Sequence, residues 1–487
     1  MRATFVLFCA LVAVASKASA QITDAEFRQR RDSLTARLPQ DAVIIAFGER
    51  DEIGFPAFYQ SPNFRYLTGL SEPNAVLVMT GREASGHSVG TLFRQDRAPS
   101  DILFNGPLED AAEVTRRTNL AIRPLAQLVP VVDSLIAAGR PLYMIRDTRP
   151  YGGTNDTLTR GSVFAATLRR RTPAPTIRSA DNEILALRGR KSTAEEQLVR
   201  RSAAITSESV NNAIRNIHPG LHEYHVQAML EAGFRSGGGD SHPGFATNVS
   251  AGMNSTTAHH RAAEAPLEAR KLVLMDVGAA YQGYSADVTR TVPVSGKFTP
   301  EQQEIYQLVR DAQASAERAA TLGAPGSAMG DSASATIARG LTRLGLIEAP
   351  DATFDPPWAD RCARSAASCR QSYFFYFHGI GHGIGLDVHD ATQYSTGRGG
   401  AGGGITPGDA FTIEPGIYVD ARRTALLADT PKNRAFVAKM RGVIAKYDGI
   451  GVRIEDDYMA TPRGVERITP AAREISEIEA LMQRPRP

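Results

Sequence analysis

The chain has 487 residues, with an apolar fraction of 42% and a charged fraction of 22%, the balance of an ordinary globular protein and not of a disordered one. That length buries a sizeable core and accommodates two or three domains of the usual ~100–200 residues, so no staple is needed merely to fold. A formal charge of +3, with basic residues scattered in short runs such as Arg169–Arg171 and Arg188–Lys191, excludes the clustered basic face by which nucleic-acid binders are normally recognised.

In chain order, the first twenty residues stand apart. Met1-Arg2 is a short positive start, Ala3 to Ser16 is mostly apolar and uncharged, and Ala18-Ser19-Ala20 fits a small-residue cleavage site. This pattern predicts a signal peptide over 1–20, the competing reading being an N-terminal core helix. The mature chain then begins near Gln21 and is exported, periplasmic or secreted, the arginine-heavy, lysine-poor composition pointing to a periplasm. Losing Arg2 and Lys17 takes Lys+Arg from 55 to 53 against 52 Asp+Glu. No later stretch reaches the ~18 apolar residues of a membrane span. Cys9 leaves with the leader. The remaining Cys362 and Cys369 could close a small loop in an oxidising compartment or stay as two thiols.

Residues 21–185 read as an α/β domain. Strand-like runs at Ala42–Phe47, Ala75–Met79, Gly90–Phe93 and Leu142–Ile145 alternate with helical patterns such as Leu108–Arg117 and Leu125–Ala138. Residues 186–475 change character and read as α+β around a curved antiparallel sheet, followed by a tail, 476–487. A helix is expected over Thr193–Ile217, stopped by His218-Pro219-Gly220. A second starts at Thr299, with Pro300 at its first position, Gln302 completing a capping box, and a buried stripe of Ile305, Leu308, Val309 and Ala312. Strand pieces Leu272–Met275, Val288–Val294, Ala410–Ile413 and Val452–Ile454 each abut an acidic residue, while 351–370 and the Gly397–Gly404 stretch read as loops.

Those acidic residues carry the chemistry. A hairpin turning near Gln282-Gly283 sets Asp276 and Asp287 opposite or diagonal on adjacent strands, with Cβ atoms roughly 5–8 Å apart. Two carboxylates that close repel unless a cation lies between them; taken alone, they read more readily as solvent-facing aspartates. His378, His382 and His389 then concentrate three of the chain's ten histidines within twelve positions, among glycines that permit close backbone approach. Glu414 ends a strand before Pro415-Gly416. Alternation places Arg453 and Glu455 on one strand face, where Arg453 could itself neutralise Glu455. Four carboxylates and one imidazole suit hard or borderline ions and exceed what one ion needs. Two ions sharing carboxylates, ~3.5–4 Å apart with a bridging hydroxide as nucleophile, is the natural expectation. Competing motifs fail: no HExxH occurs, Gly283-Tyr284-Ser285 lacks the following glycine of a nucleophile elbow, and no phosphate-binding fingerprint is present.

At Met275–Gly278, Gly283–Thr291, His378–Asp390, Thr412–Gly416 and Gly449–Asp457 the chain resembles the pita-bread metallopeptidases, and most closely the aminopeptidase P (Xaa-Pro aminopeptidase) family. Phe58–Phe64 and Leu67–Gly69 extend the resemblance, more loosely, into the N-terminal half. The resemblance implies an α/β N-terminal domain followed by an α+β pita-bread catalytic domain, and a metal set of Asp276, Asp287, His382, Glu414 and Glu455. In that set Asp276 binds one ion, His382 and Glu414 the other, and Asp287 and Glu455 bridge both. The cofactor it implies is two divalent ions, Mn²⁺ ahead of Zn²⁺ or Co²⁺. It further implies Glu414 as acid/base partner, His259 and His389 as catalytic and substrate-binding histidines, and His378 and Arg453 on the substrate side. His260, adjacent to His259, leaves that assignment one residue open. The implied substrates are peptides with proline second, cleaved at the N-terminal Xaa-Pro bond, and the implied assembly is a homodimer or tetramer. A prolidase confined to Xaa-Pro dipeptides, or a non-catalytic pita-bread binding module, are the rival readings. The stretch Asp420–Asp448 and the Gly397–Gly404 loop are longer than the resemblance leads one to expect.

Overall fold

The computed structural model describes residues 21–483 apart from 51–57, 148–158, 262–263, 359–361, 364 and 395–401. The expected signal peptide, and most of the Gly397–Gly404 stretch, lie outside the described residues.

The N-terminal half is built on a six-stranded sheet. Its strands are β1 (Val43–Phe47), β2 (Val76–Arg82), β3 (Ser88–Arg94), β4 (Ala121–Pro124), β5 (Leu142–Met144) and β6 (Ile177–Ser179), in the order β4-β3-β2-β1-β5-β6. β1, β2 and β3 pair antiparallel, while β4, β5 and β6 join in parallel. Every residue of β1 is buried, as expected of a strand covered on both faces. Val43, Ile45 and Phe47 pack with Leu128, Val132 and Leu168 on one face. Ile44 and Ala46 join a cluster on the other that includes Leu198, Val199, Ala203, Tyr284, Ile384 and Leu386 of the second half. Leu34, Phe64, Leu67 and Val114 of the N-terminal half cover that face, and through them the core continues into the second half. Polar ties cross the same boundary: the fully buried Arg188 binds Asn63 at 2.7 Å, Asp387 at 2.5 Å and Asp390 at 2.8 Å.

The second half opens with helix Thr193–Asn216, whose capping box pairs Ser192 with Glu195, followed by helix Glu223–Ser236. Strands β7 (Asn248–Ala251), β8 (Leu272–Val277), β9 (Ala280–Tyr281), β10 (Tyr284–Ser285) and β11 (Val288–Pro293) come next, then helices Pro300–Ala319 and Ser327–Leu344. Beyond them lie β12 (Ala410–Ile413), β13 (Gly416–Val419), β14 (Ile450–Arg453), β15 (Asp456–Thr461) and β16 (Gly464–Arg467). All strand pairs here are antiparallel, in the ladders β7-β8-β11, β12-β15-β16 and β13-β14. Bonds from Glu455 N to Thr289 O at 3.1 Å and from Thr291 Oγ1 to Arg453 O at 3.1 Å stitch these ladders side by side. The expected stripe of helix Pro300–Ala319 is buried and its Thr299–Gln302 capping box is formed. Cys362 and Cys369 are joined in a disulfide. The long Asp420–Asp448 stretch holds a short 3₁₀ segment, Ala421–Leu426, and helix Pro431–Tyr447, which buries Phe436, Met440 and Ile444. From Ile475 to Met482 the chain is helical, with Ile478 in the core.

Candidate metal centre

The hairpin expected between the two aspartates is present. At its tip Gln282 (φ 51°) and Gly283 (φ 83°) are both left-handed, the conformation that matches a tight turn to strand twist, and Asp240 accepts from both backbone N–H groups at 2.9 and 2.7 Å. Asp276 of β8 lies opposite Thr289 of β11, so Asp287, two residues earlier, is its diagonal neighbour. The Asp287 N–H donates to the buried Asp457 carboxylate at 3.1 Å.

The histidine comes from the glycine-rich segment. His382 O accepts from Thr412 N at 2.8 Å and His382 N donates to Thr412 Oγ1 at 3.1 Å, docking the segment on β12. Gly381 makes this approach feasible, because a Cβ there would stand 2.0 Å from the Thr412 carbonyl oxygen. His382 Nδ1 lies 3.0 Å from Gly383 O, which places the proton on Nδ1 and turns the lone pair of Nε2 toward the carboxylates. Nε2 stands 3.5 Å from Asp287, 3.4 Å from Glu414 and 3.8 Å from Glu455. His389 stacks on the same ring at 3.8 Å between centroids. One atom each of Asp287, His382 and Glu455 lie within 4.8 Å of one another.

Burial without a cation is costly for this cluster. Desolvation first, then Glu455 and Asp276, push the Asp287 carboxyl well above its usual range. Glu455 is raised by burial, Glu414 and Asp276, and burial raises Glu414 to about 8, Asp276 adding to the effect. Asp287 Oδ1 and Glu455 Oε1 are buried without a hydrogen-bond partner among the described residues. Orphaned buried oxygens that converge on a largely buried imidazole fit a divalent cation, since a buried charge must be paired or coordinate a metal. The donor set, oxygens with one nitrogen, excludes a thiolate-type site.

Arg453 underlies the cluster. It is 3% exposed, donates from Nη2 to Asp276, from Nε to Thr289 Oγ1 at 3.1 Å, and from Nη1 to Tyr418 Oη at 2.8 Å. Thr289 Oγ1 donates onward to Glu455 Oε2 at 2.7 Å. A guanidinium can only donate, so Tyr418 must give its own proton to His378 Nε2, 2.9 Å away, while His378 Nδ1–H donates to Gly379 O at 2.8 Å. His378 is therefore neutral, as burial, with Arg453 and His259 nearby, also dictates by pulling it down to about 3. His259 is near enough to act on His378, whereas its neighbour His260 turns to Glu223 at 3.3 Å. The structure thus gathers Asp276, Asp287, His378, His382, His389, Glu414, Arg453 and Glu455 with His259 alongside. Sequence reasoning missed Tyr418, Thr289 and Asp457. Asp457 falls in the Gly449–Asp457 motif already singled out, and Thr289 lies opposite Asp276; nothing in the sequence marks Tyr418 beyond its place four residues after Glu414.

Comparison with known proteins agrees over most of the chain. The model of metallopeptidase family M24 matches residues 197–462, and that of the aminopeptidase P N-terminal domain matches residues 27–143. The Xaa-Pro aminopeptidase of Escherichia coli K12 is 30% identical over 480 residues, 95% of this chain and 98% of that protein. Aminopeptidase P from E. coli, solved with the inhibitor Pro-Leu, superposes with a TM-score of 0.76 at 26% identity, over 95% of this chain and 98% of that one. Human Xaa-Pro dipeptidase is 29% identical over 316 residues, covering 62% of this chain and 61% of that protein.

Proposed function

The chain belongs to metallopeptidase family M24, and on that premise we propose that it is an aminopeptidase that removes the first residue of peptides whose second residue is proline. The observation that carries the reading is a buried, mutually repelling set of carboxylates around His382, on a chain aligned end to end with Xaa-Pro aminopeptidases. Human Xaa-Pro dipeptidase aligns over a smaller part of both chains, which favours the aminopeptidase over the dipeptidase reading.

Asp276, Asp287, His382, Glu414 and Glu455 would hold two divalent ions, for which the oxygen-rich donors favour Mn²⁺ over Zn²⁺ or Co²⁺. Once bound, the ions supply Lewis acidity at the scissile carbonyl and a reactive water at neutral pH. The chain's own residues do the rest. Glu414, less buried than its carboxylate neighbours, is the ligand placed to take and return a proton beside the reacting water. Arg453 fixes Asp276 directly and Glu455 through Thr289, so the ligands are oriented before any cation arrives. His259 and His389 would bind the peptide and donate to the carbonyl oxygen as charge develops on it. A homodimer or tetramer is the expected assembly. Export to a periplasm or beyond is supported by the leader-like residues 1–20 and by the Cys362–Cys369 bridge, since structural disulfides belong to oxidising compartments.

The test is hydrolysis of Ala-Pro-Ala against Ala-Pro by the Mn²⁺-loaded and chelated protein. Release of Ala from the tripeptide, lost on chelation, is expected. Cleavage of the dipeptide alone makes the protein a prolidase, and cleavage of neither, with metal bound, removes the substrate class.

A further inference from the structure

Strand β13 does not return directly as β14. The first turn of the intervening stretch, Ala421–Leu426, lies against the end of the 3₁₀ segment Gly252–Thr256 and against a loop, each leading into a histidine, and Arg423 touches both. Its Nη2 donates to the carbonyl oxygen of Thr256, three residues before His259. Its guanidinium lies over the ring of Phe377, 4.8 Å from the centroid and one residue before His378. Asp420, the N-cap of the turn, accepts from the hydroxyl of the same buried Thr256 at 3.3 Å. The Phe377 ring in turn sits 5.1 Å from that of Tyr418, the residue that binds His378. The Arg423 side chain is only 19% exposed, so these contacts are an enclosed joint and not a surface coincidence. A planar guanidinium can donate from its edge while presenting its face to an aromatic ring; an ammonium offers only a point charge.

We propose that Arg423 is a positioning residue for peptide cleavage, setting the separation between the His259 loop and the aromatic ledge that carries His378. Its catalytic consequence rests on the function proposed above; the mechanical tie does not. Neither segment is held by a strand ladder at the histidine, and a displacement of about 1 Å at such groups costs on the order of a hundredfold in rate.

The experiment uses the full-length, metal-loaded enzyme with Ala-Pro-Ala. Arg423→Ala is expected to lower kcat/KM at least tenfold with bound metal per chain unchanged, and Arg423→Lys to recover part of the loss. Because Arg423 acts by placing His259 relative to His378, the Arg423→Ala/His259→Ala double variant should lose less than the product of the two single losses. Hydrogen exchange over residues 254–261 should quicken about tenfold in Arg423→Ala and stay unchanged in Arg434→Ala, which alters an exposed ion pair of the same insert. Additive losses in the double variant, or unchanged exchange, overturn the proposal. Should the alanine variant not fold, Arg423→Lys decides by the same rate and exchange readouts. If the parent cleaves no Xaa-Pro peptide, the functional reading falls while exchange still decides the tie.

Discussion

Tyr418 shows how much of the site is set by groups that would touch neither metal nor substrate. Its hydroxyl accepts from Arg453 and donates to His378, so one oxygen fixes both the arginine fork and the histidine tautomer. Tyr418→Phe keeps the ring and its packing but leaves His378 Nε2 free to turn. Outer partners of this kind typically carry 10–100-fold in metal affinity or activity, and a loss of that size in kcat/KM, with an unaltered melting temperature, is expected. A kcat/KM within twofold of the parent would mean that the chain of proton donors is incidental. Individual residues were unevenly legible. Asp276 and Asp287 could be read because a Gln-Gly turn between β-rich runs dictates their pairing. His259 and His260 could not be told apart, because only the fold brings the buried Glu223 against His260. Tyr418 was invisible, since a buried strand tyrosine is ordinarily core.

Among elements, the docking of the His382 segment on β12 is the tightest constraint. Gly381 is required there by proximity and not by a left-handed backbone. Gly381→Ala would drive a methyl into the Thr412 carbonyl, and because Thr412 O cannot yield without breaking β12, the His382 segment must lift. Overpacking of this kind costs about 1–3 kcal/mol. The melting temperature should fall and the purified protein should retain less metal, as metal analysis would report; full retention would show that the segment has slack. Elements with local signals were legible: the helix from Pro300 announces itself by Thr299 and Gln302, and β12 by its apolar run. Helix Pro431–Tyr447 went unread although its signal is local: Thr430-Pro431 is a good start, and Phe436, Met440, Ile444 and Tyr447 recur at helical spacing.

At the scale of the whole molecule, the buried cluster ties stability to pH and to cation. In the metal-free protein Glu414 is raised from 4.5 to about 8, and Asp287 and Glu455 are raised well above their ordinary values. The folded state then holds more protons than the unfolded chain, so this contribution to stability is complete below about pH 4.5 and is lost as pH rises through 8. Asp390 and Asp456, held low by the basic groups that offset their burial, act in the opposite sense below about pH 4, and His378, pulled from 6.5 down to about 3 by burial, does so up to about pH 6.5. The chelated protein should therefore melt progressively lower from about pH 6.5, where the His378 contribution is complete, to pH 8. Excess Mn²⁺, which requires deprotonated ligands, should abolish or reverse that slope and release protons on binding. A flat profile in chelator would mean the carboxylates are not desolvated together.

Behind one face of the N-terminal sheet, Leu34, Phe64, Leu67 and Val114 of its own helices share a single cluster with Leu198, Ala203, Tyr284, Ile384 and Leu386 of the second half. Anyone wishing to transplant this catalytic half onto another front half must therefore graft a matching patch. The natural seam for recombination follows that greasy contact, not the linker near residue 190, and chimeras joined at the linker alone should precipitate.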